Sequence, residues 1–156
     1  MLKIKKNVSV IISLVLAWIA LAGIVVVAAT LPIIVEHYIT YLNTAYMKRY
    51  VPALIVIYSA MVPVCVADVL LIRLLGRVRA AQVFTPSAVA LLRGISWCCF
   101  AECLILATVG NLLFAPFAPI ITAVAAVAAF LGIVLRVVKN VIEEATAIKS
   151  ENDFTI

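Results

Sequence analysis

Charge is what this chain has least of. Only 12% of its 156 residues are charged while 67% are hydrophobic; a soluble domain carries about 25% and about 45–50%. A chain this short buries only roughly 70% of the surface its unfolded form exposes. It could not hide so much apolar surface from water, so a soluble globular protein is excluded. Disorder is excluded more firmly, because it needs low hydrophobicity and high net charge. Histidine occurs once, at His37. With no Ser/His/Asp set and no Gly-rich phosphate loop, the chain is not expected to be an enzyme, and no cofactor is expected. No cysteine stands outside the apolar runs and no Cys-x-x-Cys occurs. A quinone-linked disulfide enzyme needs exposed paired cysteines, so that class falls away as well.

What is present is four long apolar runs. No charge lies between Lys6 and Glu36, and a bilayer core needs about 20 residues of helix. Lys3-Ile4-Lys5-Lys6 resembles a signal-peptide n-region, and Val27-Ala28-Ala29 could pass as a cleavage site. Signal h-regions run only about 7–15 residues, so a retained helix over about 8–35 is the preferred reading. The second span covers about 50–75, with Pro63 expected to kink it. Thr85-Pro86 is a helix start, a hydroxyl cap followed by proline at the first helical position. The third helix then runs from Pro86 through Leu113, its span about 91–113 and its early turns at the membrane surface. Asn111 to Pro119, with two prolines and no charge, reads as a tight turn. The fourth span covers about 120–138. Ala125-xxx-Ala129 and Ala128-xxx-Gly132 lie in it; such spacing lets helix backbones approach closely, and mere alanine richness is the alternative.

Orientation follows from the basic residues. The net charge of +5 does not point to direct nucleic-acid binding, because Lys and Arg stand at the ends of the apolar runs. With the N-terminus inside, Lys48 and Arg49 alone of the 12 basic residues lie outside, as the positive-inside rule favours. Tyr38, Tyr41, Tyr46 and Tyr50 then form an outer interfacial belt, and His37 among them is not read as a metal ligand. The expectation is an all-α integral membrane protein, one domain over 1–156 in the bacterial cytoplasmic membrane. It has four transmembrane helices and both termini in the cytoplasm.

Two carboxyl groups interrupt the spans. An Asp at a helix centre costs about 2.5–3.5 kcal/mol on insertion scales, so Asp68 and Glu102 are candidate functional residues. No basic residue stands three or four positions from either. Counting from the span ends, Glu102 falls near the midplane and Asp68 roughly 8 Å nearer the cytoplasm. Either each is protonated, or they share a hydrated cavity, or Asp68 meets Arg73 or Arg93. A protonated Glu102 serving only as interhelical glue is the plain alternative. Cys65, Cys99 and Cys103 are weak candidates for a soft-metal site; packing as small hydrophobes is the preferred reading.

The fourth helix should continue into the cytoplasm over 139–156. Val134, Val138, Val141, Ala145 and Ile148 recur at spacings of four and three, one apolar stripe. After Ser150 the pattern changes to a turn at Asn152-Asp153 and a strand-like end. From Glu143 on there are four acids and one Lys. Arg77 and Arg79 make the middle connection basic, with Arg93 close by. The tail, through Glu143, Glu144, Glu151, Asp153, Phe154 and Ile156, is expected to dock on that connection or on a soluble partner; a frayed, solvated end is the alternative.

Phe84-Thr85-Pro86 leading to Leu91-Leu92-Arg93 carries a resemblance to a known family. The closing Val138-Lys139-Asn140, Glu143-Glu144 and Glu151-Asn152-Asp153-Phe154-Thr155-Ile156 carry it further. The chain resembles a bacterial family of four-span membrane proteins catalogued as domain of unknown function 2975, whose members often end Glu-x-Asp-hydrophobic-Thr-Ile. Phe154 stands where Leu is frequent. The resemblance implies no catalytic residues. Because members are often encoded beside a small helix-turn-helix regulator, it implies a membrane partner of a DNA-binding protein. A regulatory or signalling membrane protein is therefore the leading reading. A small proton-coupled transporter or efflux component using Glu102 and Asp68, as a homo-oligomer, is the alternative.

Overall fold

In a bilayer core the backbone must satisfy its own hydrogen bonds, which leaves helices and closed barrels as spanning structures. The structure, a computed structural model, describes residues 6–42, 50–80, 82–111 and 117–153. It contains α1 (Lys6–Leu42), α2 (Tyr50–Arg79), α3 (Pro86–Ile105) and α4 (Ala118–Asp153), with a π-helical turn, Leu106–Gly110, prolonging α3. No strand occurs among the described residues. All four helices are long and apolar enough to cross a membrane. Large aliphatic side chains such as Ile33, Leu104 and Ile120 stand on the outside of the helices, where lipid rather than water suits them. This is a multi-pass, all-helical membrane protein.

Thr85 caps α3 as its sequence predicts. Its φ of −138° and ψ of 146° are extended, its hydroxyl accepts from the Ala88 N–H at 3.4 Å, and Pro86 follows at the start of the helix. Pro63 lies inside α2, which runs on through it. Two expectations are corrected. The third helix does not continue as an α-helix to Leu113: it changes to the π turn at Leu106, and residues 112–116, which include most of the expected tight turn, lie outside the described residues. The chain does not turn at Asn152-Asp153 either. α4 holds helix through Asp153, because Asn and Asp favour turns only weakly when an established helix can simply propagate through them. Phe154 and Ile156 lie outside the described residues.

The helices pack in chain order, α1 on α2, α2 on α3 and α3 on α4. At the α1–α2 seam Leu31, Val35 and Ala53 are buried, with Tyr50, Leu54, Ile57 and Met61 against them, and the Tyr58 hydroxyl donates to the Ala28 carbonyl at 2.9 Å. α3, between two neighbours, buries Ala88, Val89, Leu92, Ile95 and Ser96. On its α2 side, a Cβ on Gly94 would lie 2.8 Å from the Leu70 Cδ1. On its α4 side, the Ser96 hydroxyl donates to the Gly132 carbonyl at 2.8 Å. A Cβ on Gly132 would lie 3.1 Å from the Phe100 ring. Ala125 is buried two turns earlier on α4. The small residues of α4 thus mark its seam with α3.

Candidate functional site

The contacts Leu70–Gly94 and Arg77–Ser87 belong to one antiparallel register of α2 against α3. That register puts Asp68 level with Ser96. Glu102 stands six residues farther along α3, about 9 Å along the axis. The two carboxyl groups also sit on different stripes. Asp68 comes eleven residues after Ile57 and seven after Met61, on the stripe of α2 that packs on α1. Glu102 comes seven residues after the buried Ile95 on α3. Different depth and different faces keep them in separate environments. Each has one buried oxygen, Asp68 Oδ2 and Glu102 Oε2, without a hydrogen-bond partner. Asp68 makes no ion pair among the described residues, and Arg93 goes elsewhere.

Glu102 has a neighbour that the sequence did not announce. The Leu106 N–H, where the π turn begins, donates to the carbonyls of both Glu102 and Cys103. π turns inside α-helices often accompany functional sites. Beyond it, Asn111 Nδ2 donates to the Ala107 carbonyl at 3.2 Å and the Thr122 hydroxyl donates to Asn111 Oδ1 at 3.3 Å. The last turn of α3 is thereby tied to the start of α4.

The opposite end of the bundle is basic. The antiparallel packing brings together the C-terminal end of α2, the start of α3 and the later part of α4. Arg77 donates to the Ser87 hydroxyl, which lies 3.1 Å from that of Thr85. Arg93 reaches Glu143 at 3.7 Å, and Lys139 pairs with the same carboxylate from one turn away. Arg79 and Glu144 are exposed. Glu151 and Asp153 fall on the final turns of α4, with their side chains outside the described residues. Among the described side chains, the tail acid that makes an interhelical ion pair is Glu143, and its partner is Arg93 rather than Arg77.

A family model described as "Protein of unknown function (DUF2975)" matches residues 34–156. The chain belongs to this family. No curated protein matches it, and no solved structure does. The DUF2975 region takes in α2, α3 and α4 whole and only the last turns of α1. Asp68, Glu102, the basic end and the α4 extension all fall inside it. The family description assigns no activity, so the chemistry has to be argued from the residues.

Among the described residues no group of three His, Cys, Asp or Glu side chains could hold a metal ion. Cys65 and Cys99 do share a level in the α2–α3 register. However, Cys65 is turned about 140° from the Leu70 stripe and Cys99 about 140° from Gly94, so they do not converge. All four cysteines are half-buried free thiols. One feature of this DUF2975 chain went unseen in its sequence. The Arg136 guanidinium lies 4.9 Å from the centroid of the Trp97 ring and 5.2 Å from that of Phe100. Trp97 and Phe100 were legible as apolar helix residues; only the pairing of α3 with α4 sets Arg136 over them.

Proposed function

We propose that this protein is a non-enzymatic regulatory or signalling protein of the cytoplasmic membrane whose α4 extension binds a soluble partner. The observation that carries this is the length and surface of α4. Its 36 residues make about 54 Å of helix, against a hydrocarbon core of about 30 Å. The part beyond the core still carries the apolar stripe, and Val141 and Ile148 on it are 60% and 55% exposed. A lipid-facing valine needs no protein cover; the same side chain in water gains about 25 cal/mol for each Å² a partner buries. The basic residues clustered at this end favour the cytoplasmic side. The helical run to Asp153, and the pairing of Glu143 with Arg93 and Lys139, favour a separate partner over the tail folding back beneath its own chain. The family's resemblance-based association makes a small helix-turn-helix regulator the partner to test first.

The test is co-purification from mild detergent of the intact chain, a chain ending at Ser150, and a Val141→Glu/Ile148→Glu variant. A small DNA-binding protein held by the intact chain and lost from the altered ones supports the reading. Its retention by all three, or no DNA-binding protein with any, overturns it.

A second reading, a small proton-coupled transporter, draws support from the unpartnered oxygens of Asp68 and Glu102 and from the π turn after Glu102. Helices packed in chain order make no closed ring, so this reading calls for a homo-oligomer. Glu102→Gln in vesicles separates the two readings. Loss of a pH-driven flux with partner binding intact favours transport, and an unchanged flux removes it.

A further inference from the structure

We propose that the cleft between the end of α2 and the start of α3 is a binding site for a phosphate group, presented by an anionic phospholipid headgroup or by a soluble phosphate. The cleft has a volume of about 400 Å³ and is lined by Arg73, Gly76, Arg77, Ala80, Gln82 and Leu91. It does not rest on the partner reading above and stands or falls separately. Arg73 and Arg77 are one helical turn apart, so both guanidinium groups lie on the same face of α2 and into the same space. Two like charges on one face repel each other. Neither pairs with a carboxylate among the described residues, where the ion pairs run from Glu143 to Lys139 and Arg93. The Ser87 hydroxyl accepts from Arg77, which fixes the planar group at one edge and leaves its other donors for a ligand.

The space itself is open. A Cβ on Gly76 would meet nothing within 4 Å. Gln82 adds an amide, while Leu91 and Ala80 supply an apolar flank. Arginine's fork of donors matches the oxygens of a phosphate in two-pronged fashion. Arg73 stands 23 residues along α2 from Tyr50, about 35 Å at helical rise, which is the reach from one bilayer surface to the other. A phospholipid phosphate lies at that depth, and basic pockets between transmembrane helices are the form such recognition takes.

The experiment is native mass spectrometry of the full chain in a neutral detergent. Phosphatidylglycerol, phosphatidylcholine and inorganic phosphate are added separately. The variants are Arg73→Gln/Arg77→Gln and, as a control outside the cleft lining, Arg79→Gln; size-exclusion profiles check that each is folded. Retention of phosphatidylglycerol over phosphatidylcholine is expected, weakened about thirtyfold by the double variant at about fivefold per arginine and much less by Arg79→Gln. Inorganic phosphate that binds with the same arginine dependence and displaces phosphatidylglycerol identifies a soluble phosphate as a ligand of the same site. Equal retention of both lipids with no bound phosphate overturns the proposal. So does equal weakening by Arg79→Gln and the double variant. Should the double variant misfold, the comparison of the three ligands on the unaltered chain still decides.

Discussion

Ser96 on α3 donates a hydrogen bond of 2.8 Å to the carbonyl of Gly132 on α4, and Ser96 is the most buried polar side chain in the described protein. The absence of a side chain on Gly132 is what lets the two backbones come this close. A Cβ there would lie 3.1 Å from the Phe100 ring and 3.3 Å from the Cys99 Cβ. The two residues should therefore fail in different ways. Ser96→Ala removes one interhelical hydrogen bond, worth about 0.6 and at most about 1.7 kcal/mol in a membrane. Gly132→Leu forces the helices apart, at about 1–3 kcal/mol for an overpacked contact. Reversible unfolding in mixed micelles should rank Gly132→Leu as the more damaging; the reverse order would disprove this account of the seam.

Gly94 is a milder case. Its closest neighbour, at 2.8 Å from a built Cβ, is the Leu70 Cδ1, the end of a flexible side chain. Gly94→Ala should cost less than about 1 kcal/mol once Leu70 adopts another rotamer. The cost should shrink further in a Leu70→Val background. A double-mutant cycle measures this coupling, and additive effects would place the clash elsewhere.

Arg136 is held over two aromatic faces, and Trp97 is 59% exposed. Such a contact contributes about 0.5–1 kcal/mol at an exposed site. Arg136→Ala should lose roughly that much stability, and losing the ring first, by Trp97→Leu, should lower the effect of removing the arginine. An unchanged Trp emission spectrum in Arg136→Ala would count against the contact.

Orientation can be read by thiol labelling, because the native cysteines all lie within the helices that span. With Thr44→Cys between α1 and α2, an impermeant maleimide should label intact cells. With Ser150→Cys, labelling should require permeabilisation. The opposite pattern would move the α4 extension, and with it the partner proposed above, to the other side.

Hydropathy, the Thr85-Pro86 cap and the placement of Lys and Arg were enough to find four helices, their order and a charged end. These depend on local composition, and a bilayer demands long apolar helices whatever their neighbours. The same uniformity hid the packing. When nearly every face of a helix is apolar, as on α1, no stripe says which face meets protein and which meets lipid. Asp68 and Glu102 were conspicuous because charge is costly in a span. Their difference in depth was legible too, roughly 8 Å by counting from the span ends against about 9 Å in the register; that one lies on the α1-facing stripe and the other before a π turn could not be read from their spacing.

The amino-acid sequence by itself determined a helical, multi-pass membrane chain, because its apolar runs are too long and too complete for any other solvent. Tertiary structure alone decided the rest. It set Ser96 against Gly132 and Arg136 over Trp97 and Phe100, and it brought Gln82 and Leu91 opposite Arg73 and Arg77 across a cleft. The physical reason is that helix register is chosen by close contact between small residues far apart in the chain, which no local pattern records.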